Sequence, residues 1–543
     1  MTELDREVPV LVIGGSLVGL TTSVLLASQG VPHLLIERHR GTAIHPRAAS
    51  FHQRTMEILR SVGLQQSVEA AAAREFVQNG AIVAVDALSG RELACFYRSY
   101  NEGVEGLSPT SRLFITQVGL EPVLRDRARE LGAEHRYATE VVDFEQQADG
   151  IVAAVRARDG GPEQRIRARY LVAADGAHSF ARGRLGIGMN GRGSFADCVT
   201  IYFKADLRAL IGDRNLSVVY VNQPGLLAFF RFSITADAGF LAVFKASGHG
   251  GGGPPVGEDA SPARCAALVR EALGVPADFP VEISNVQPWT ATAATAAAFR
   301  RDRVFLAGDA AHLMPPTGGF GGNTGIADAH NLAWKLRMVL GGNAHPRLLD
   351  SYERERQPQC ELVVEQAYAR YIKRVDASLP AENLAPLLDD AAIELGSVYD
   401  SDAIFDEESG DRAGALLEDP RHPSARPGTR VPHVVLWRDG GPASTHDLAD
   451  GGFALLVGAE GRRWAEAAAA VAATARLPLK AVRIAPDGDL TDPDHRFEQV
   501  SGIGTQGALL LRPDGVIGWR TRGAHPDPGA RLVEVLRGLN LRC

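Results

Sequence analysis

The chain has 543 residues, 45% hydrophobic and 22% charged, more than one hydrophobic core organises and ordinary for a globular protein of two or three domains. A net charge of −8 with scattered basic residues excludes a nucleic-acid or anionic-lipid surface, and no apolar run approaches the roughly 20 residues of a membrane helix. The polar start MTELDRE is not a signal peptide, and Cys95, Cys198, Cys265, Cys360 and Cys543 form neither a CxxC nor a metal spacing, so a cytoplasmic protein with free thiols and no metal is expected.

Val8 to Ile13 reads as a short β-branched strand running into GGSLVGL, and a helix of small residues follows to about Gly30. A second strand, His33 to Ile36, ends at Glu37 and Arg38. This is a βαβ start with an acid about 20 residues beyond the glycines, placed to bond a ribose hydroxyl. Gly14 and Gly19 hold the first and third positions of the glycine pattern, but Ser16 stands at the second, with Gly15 beside it. Further on, Arg47 lies in a loop before a helix from about Ser50, where its guanidinium can face a cofactor or simply face solvent. Gln117, near the start of a helical segment, can bond a ribose or adenine edge, or cap its helix.

Tyr170 to Ala174 is another strand, with the turn dipeptide Asp175-Gly176 at its carboxyl end. Ligands of open parallel sheets bind at such ends, so Asp175 and Asp309 both fall where a dinucleotide would lie. Between them the texture changes. Asp197–Ala205, Leu216–Asn222, Leu226–Ser233 and Phe240–Ala246 are aromatic-bearing runs without helical period, read as a mostly antiparallel sheet. Tyr220, Phe229 and Phe232 are candidate contacts for a flat apolar substrate, with an ordinary sheet core as the alternative. The low-complexity run GHGGGGPPVGEDASPA from Gly248 reads as a loop.

Val304 to Leu336 carries the densest information. A buried strand to Gly308 stops at Asp309, a loop follows with Pro315, Pro316, Gly318, Gly319, Gly321 and Gly322, and a helical period starts at about Asn323 and Thr324. Glycines before a helix start let backbone amides and the positive dipole end hold an anion. Downstream, Arg370, Lys373 and Arg374 can bring positive charge to a bound group, or form an exposed helix face; among them Arg370, with Arg47, is the catalytic candidate. His312 reads as structural.

With GGSLVGL and Glu37, DGAHSFAR, and GDAAHLMPP leading to GFGGNTG in this order, the chain resembles the class A FAD-dependent aromatic monooxygenases of the para-hydroxybenzoate hydroxylase fold. The resemblance runs from about Val8 to Arg374. It implies a Rossmann-like α/β FAD-binding domain (1–185 and 285–400) and an inserted antiparallel β-sheet substrate domain (186–284). It also implies FAD held by Gly14, Gly15, Ser16, Gly19, Glu37, Arg38, Arg47, Gln117, Asp175, Asp309, Pro316, Gly319, Gly321, Gly322, Asn323 and Thr324, with Pro315 beside the substrate. Phe180 stands where the family commonly has a smaller residue. The C-terminal part, 401–543, resembles the thioredoxin-like tail of phenol hydroxylases and aromatic polyketide hydroxylases, through FALLVG, LKAVRIA and GALLLRPDGVIGWR, without a CxxC.

The activity so implied is NADPH- or NADH- and O2-dependent hydroxylation of a polycyclic aromatic polyketide through a flavin C4a-hydroperoxide, by a monomer or homodimer. Oxygen insertion into a polyketide ring and simple phenol hydroxylation are the alternatives, and a flavin-binding protein without activity is the remote one. The WxWxIP of flavin halogenases and the FxGxxxHxxxW of two-domain Baeyer–Villiger enzymes are absent.

Overall fold

The computed structural model describes residues 5–45, 49–246, 260–407, 414–438 and 440–543. Its first sheet is built around the strand Arg6–Ile13, whose β-branched run is buried along its second half. That strand pairs in parallel with His33–Ile36 on one side and Gln164–Ala173 on the other. Glu134–Arg136 and Val304–Leu306 extend the parallel order outward, and the hairpin Thr139–Gln147 and Gly150–Ala157 pairs antiparallel with Gln164–Ala173. All five parallel strands end on the same edge. Ile13, Ile36, Arg136, Ala173 and Leu306 therefore share the edge where a ligand of such a sheet binds.

A second sheet of eight strands runs in the order His312–Leu313, Glu282–Ala296, Met189–Lys204, Ala238–Ala246, Leu226–Phe232, Leu216–Gln223, Ala81–Val85 and Glu92–Tyr97. It is mostly antiparallel, with one parallel pairing between Leu216–Gln223 and Ala81–Val85. The last two strands come from inside the stretch assigned by sequence to the FAD-binding domain. Short, separated from the other strands by over 90 residues, they carry no local sign of their partner. Most of the low-complexity run from Gly248 lies outside the described residues; the helix Pro262–Leu273 beyond it is capped by Ser261 and packs on the outer face of this sheet.

Two long helices, Phe320–Leu340 and Asp350–Arg374, join the layers. The first is buried on nearly every side, which fits its Ala, Gly and Leu content. The C-terminal sheet places Phe453–Val457 parallel to Leu479–Arg483 and antiparallel to Ala508–Leu511, which pairs with Ile517–Thr521. A helix, Arg462–Ala475, connects the parallel pair. These strands are the FALLVG, LKAVRIA and GALLLRPDGVIGWR segments of the sequence, with the alanine-rich helix between the first two. Among the described residues no helix is long and apolar enough to cross a membrane.

Candidate active site

At the carboxyl edge of the first sheet the glycines are required by space. Gly14 has φ +101°, and a Cβ there would lie 2.2 Å from the Ala174 carbonyl oxygen. One on Gly19 would lie 1.8 Å from the Gly14 carbonyl oxygen, so the helix Leu17–Ser28 can dock on its strand only without a side chain at 19. Gly15 donates its N–H to Glu37 Oε2 at 2.6 Å, and His39 N–H donates to Glu37 Oε1 at 2.7 Å. Ser16, in place of the middle glycine, donates its hydroxyl to Glu121 Oε1 at 2.5 Å, and Gln117 Nε2 donates to Ser16 Oγ at 3.2 Å. Glu121 is fully buried and burial pushes its pKa up, while Ala43 N–H donates to its other oxygen at 2.6 Å. The sequence contains no sign of Glu121, because its partners lie 105 and 78 residues away.

Asp175 accepts from Ser179 Oγ at 2.6 Å and from Ala181 N–H at 3.0 Å, so its carboxylate is engaged at the start of the short helix Phe180–Arg184. Asp309 and Arg38 are exposed at the same edge of the sheet. Phe180 is 39% exposed and meets Phe144 edge-on.

The expected strand through Gly308 stops at Leu306 and gives way to a 3-10 turn, Gly308–Ala310. Beyond Pro316, which is exposed while Pro315 is buried, Gly318 and Gly319 take φ +92° and +69°. The helix then begins at Phe320, with Gly319 as its cap residue, about three residues before the expected start. Gly321 and Gly322 thus belong to its first turn, and the free amides there are those of Phe320, Gly321 and Gly322. Asn323 is committed elsewhere. Its Oδ1 accepts from His52 N–H at 2.9 Å and Thr55 Oγ1 at 2.6 Å, and its Nδ2 donates to the carbonyls of Ser50 and Gly319 at 3.0 and 2.7 Å. Thr324 Oγ1 donates to the Phe320 carbonyl at 2.9 Å. Both side chains fix the loop.

The sheet face opposite this loop is aromatic. Tyr220 and Phe229 are cross-strand partners with centroids 5.9 Å apart, and Phe229 lies 5.7 Å from Phe244. Phe244 meets Tyr371 at 5.4 Å and Trp289 at 6.2 Å, and Phe195 closes on Tyr371 at 5.1 Å. Phe232 is not part of this wall. Three positions from Phe229 in a strand of period two, it points to the other face, where it stacks on Phe230 at 5.2 Å in the core under Pro262–Leu273. Phe229→Ala is therefore expected to raise KM for the aromatic substrate with little change in melting temperature. Phe232→Ala should cost about 3–5 kcal/mol of stability and leave KM alone; a denaturation series and steady-state kinetics on both variants check the contrast.

The cations also differ from expectation. Arg370 is 1% exposed, not on an open helix face. It pairs with Asp390, donates to Gln366 Oε1 at 2.8 Å and to the Leu388 carbonyl at 2.6 Å, and lies 5.2 Å from the Phe320 ring centroid. With its guanidinium so engaged, it positions the segment after the long helix and does not qualify as catalytic. Arg47 lies outside the described residues. Arg231, missed by sequence, faces the aromatic wall's side of the sheet from the apolar run LLAFFRF. Its guanidinium sits 3.7 Å over Phe114 and 4.8 Å over Phe76 and donates to the Ala49 carbonyl at 2.5 Å. Nη2 is buried without a hydrogen-bond partner, and burial pulls the pKa down to about 9. Signs of it existed in the sequence, since an arginine inside a buried strand needs a reason.

His312 is fully buried. Its Nε2 meets Asp328 Oδ2 at 2.7 Å, and Asp328 Oδ1 also accepts from Arg356 Nε at 2.8 Å. This pairing raises the imidazole's pKa and lowers the carboxylate's, and it leaves His312 no access to substrate. Cys360 completes a group that could hold a metal ion, but the guanidinium beside it disfavours one.

The glycine cradle that a Cβ would fill, Glu37 at the sheet edge and the amides of a glycine-preceded helix fit a dinucleotide with a flavin at one end. A family model described as "FAD binding domain" matches residues 7–367, and one described as "Aromatic-ring hydroxylase, C-terminal" matches 424–539. A Burkholderia protein named 4-methyl-5-nitrocatechol 5-monooxygenase is 46% identical over 100% of this chain and 99% of its own length. The tetracenomycin B2 monooxygenase-dioxygenase of Streptomyces olivaceus is 40% identical, over 98% and 99%. Among solved structures, a ternary complex of aklavinone-11 hydroxylase with FAD and aklavinone superposes with a TM-score of 0.91 at 37% identity, covering 99% of this chain and 100% of that one.

Proposed function

This chain belongs to the family of FAD-dependent aromatic-ring hydroxylases, and from that membership we propose that it hydroxylates the phenolic ring of a polycyclic aromatic polyketide. It is an FAD-dependent monooxygenase. FAD bound there and reduced by NADPH or NADH would activate O2, one atom of which goes to the ring while the other leaves as water.

The chain's own residues do the rest. Gly14, Gly15 and Gly19 bring backbone against the dinucleotide, and Glu37 takes a ribose hydroxyl beside the Gly15 amide. The first-turn amides of Phe320, Gly321 and Gly322 favour negative charge at the flavin end. Tyr220, Phe229, Phe244 and Trp289 offer a flat substrate one extended wall and keep water from the reacting edge. Arg231 holds a buried guanidinium whose Nη2 has no hydrogen-bond partner and on which the Glu75 carboxylate acts without a hydrogen bond, so an ionised phenol near that wall is favoured over a neutral one. Arg374, 5.5 Å from the Phe96 ring centroid, adds charge at the rim.

The single observation that carries the polycyclic reading is the length of the wall, three ring-to-ring steps from Tyr220 through Phe229 and Phe244 to either Trp289 or Tyr371. One ring would cover only part of it. A second reading, a one-ring nitrocatechol, is favoured by the 46% relative. NADPH consumption and product mass across naphthacenequinone phenols, angucycline phenols, catechol and 4-methyl-5-nitrocatechol separate the two. Stimulation by the polycyclic phenols with a gain of one oxygen is expected. Stimulation by one-ring substrates alone overturns the polycyclic reading, and a lactone product replaces hydroxylation with oxygen insertion.

A further inference from the structure

We propose that the C-terminal part of the chain helps to hold the flavin-binding turn, with Arg430 as a positioning residue that fixes Gly318 and Gly319 through Glu57 and the helix Gln53–Ser61, an inference that rests on the FAD reading above. Arg430 belongs to the C-terminal part, since it bridges Val516, next to the strand Ile517–Thr521. Its guanidinium crosses to the helix. There Nε donates to Glu57 Oε2 at 3.0 Å, and Nη2 donates to Glu57 Oε1 and, at 2.9 Å, to the Leu107 carbonyl. Ser108 Oγ donates to Glu57 Oε1 at 2.7 Å, and Arg54 Nη1 to Glu57 Oε2 at 3.0 Å. Both members of the Arg430–Glu57 pair are buried.

The other side of the same helix holds the turn. Thr55 and Glu57, two residues apart at about 100° per residue, face nearly opposite ways. Thr55 Oγ1 donates to Asn323 Oδ1 at 2.6 Å, and Asn323 Nδ2 donates in turn to the Gly319 carbonyl at 2.7 Å. His52, which caps the helix, adds two contacts. Its N–H donates to Asn323 Oδ1 at 2.9 Å, and its Nε2 lies 3.1 Å from the Gly318 carbonyl oxygen. A carbonyl only accepts, so Nε2 carries the proton, and burial keeps the ring neutral by pulling its pKa down. One helix thus fixes the carbonyls of both positive-φ glycines, and these set where the free amides of Phe320, Gly321 and Gly322 point. A buried ion pair seldom adds net stability over an apolar contact of the same size. What a guanidinium bonded to both carboxylate oxygens adds is a single orientation of the helix between the C-terminal part and the turn.

The test combines hydrogen–deuterium exchange of the full-length apoprotein, read over residues 318–324 and over the helix Leu17–Ser28, with titration of FAD by quenching of flavin fluorescence. Glu57→Gln together with Arg430→Gln removes the ion pair without stranding either charge. Thr55→Val cuts the relay at its second link and leaves the pair intact. Both variants are expected to speed exchange at 318–324 roughly three- to tenfold and to raise the FAD Kd by a similar factor, the worth of one neutral hydrogen bond, with Leu17–Ser28 exchanging at the wild-type rate. Arg60→Ala is the control, because it removes a partly exposed pair to Asp447 at the far end of the same helix and should change none of the three. Unchanged exchange at 318–324, or an unchanged FAD Kd, overturns the proposal. So does equal acceleration of both segments, which marks general destabilisation, or the same response in the Arg60 variant. Wild-type apoprotein that takes up no FAD sinks the cofactor reading instead, whatever the exchange rates, so the two failures are distinguishable.

Discussion

Gly19→Val protein is expected to leave purification colourless. The valine Cβ would sit 1.8 Å from the Gly14 carbonyl oxygen and 3.6 Å from the Ala174 Cβ, so the helix Leu17–Ser28 must lift off its strand or the turn must open. Either movement pulls the amides of Gly15 and Ser16 away from the place a pyrophosphate needs them. Overpacking against backbone costs about 3 kcal/mol, the upper end of its usual range, or roughly a hundredfold in FAD Kd. Gly188→Ala is the control, because a Cβ there meets nothing within 4 Å and FAD binding should not change. Asp309→Ala is expected to lose FAD by a different route, through the carboxylate in the 3-10 turn that follows the Val304–Leu306 strand. FAD titration of the three apoproteins, with circular dichroism to monitor folding, decides the matter. Wild-type affinity in the Gly19 variant would contradict the cradle, and in the Asp309 variant it would contradict that carboxylate's role.

The second large effect lies at the junction with the C-terminal sheet. Arg512 is fully buried and donates Nη1 to Glu355 Oε1 at 2.6 Å, Nη2 to Glu355 Oε2 at 3.0 Å and Nε to Asp514 Oδ1 at 3.0 Å. Lys335, also fully buried, donates to Glu355 Oε2 at 2.8 Å, and burial draws its pKa down to about 8. Asp514 Oδ2 accepts from Trp334 Nε1 at 3.1 Å on the Phe320–Leu340 helix. Arg512→Met leaves buried Asp514 without an ion-pair partner and Glu355 with Lys335 alone, and the expected loss is about 3–5 kcal/mol, a large share of a typical stability. An exposed pair is the contrast, since Arg462→Ala, which removes a 2.5 Å contact to Asp487, should cost under about 1 kcal/mol. Urea unfolding of both variants measures the difference, and equal losses would contradict it.

The same network sets the acid limit. Glu355 and Asp514 beside Arg512, Glu57 beside Arg430, and Asp328 beside His312 and Arg356 all hold folded pKa values below their unfolded ones. Below about pH 4.5 the unfolded chain binds more protons than the folded chain. The stability contributed by these carboxylates is therefore present above that pH and is lost as pH drops through the folded values. Arg512→Met should shift the acid midpoint upward.

What could be read in the sequence was local. Gly14, Gly15, Gly19 and Glu37 lie within 24 residues and answer one steric and one polar demand, so their pattern survives without a structure. The helix start after Gly319 was displaced because Phe320, Gly321 and Gly322 lack a helical period, although their backbone continues it. Phe232 was misassigned because composition counts rings and ignores strand parity, which separates it from Phe229. The strands Ala81–Val85 and Glu92–Tyr97 join a sheet whose other members start at Met189, a pairing decided by register across the chain. Arg231, Glu121 and Glu57 depend on partners brought from distant segments, and only packing shows which of their polar atoms are satisfied.

The most direct measurement is isotopic. Purified enzyme, with FAD, NADPH and a polycyclic phenol that stimulates NADPH oxidation, is run under 18O2 in ordinary water and the product mass is read. One 18O atom in each product molecule, with none entering from H2 18O in the reverse experiment, is the expected result. Product oxygen drawn from water, or NADPH oxidation that yields only hydrogen peroxide with every aromatic offered, would contradict the oxygenase assignment.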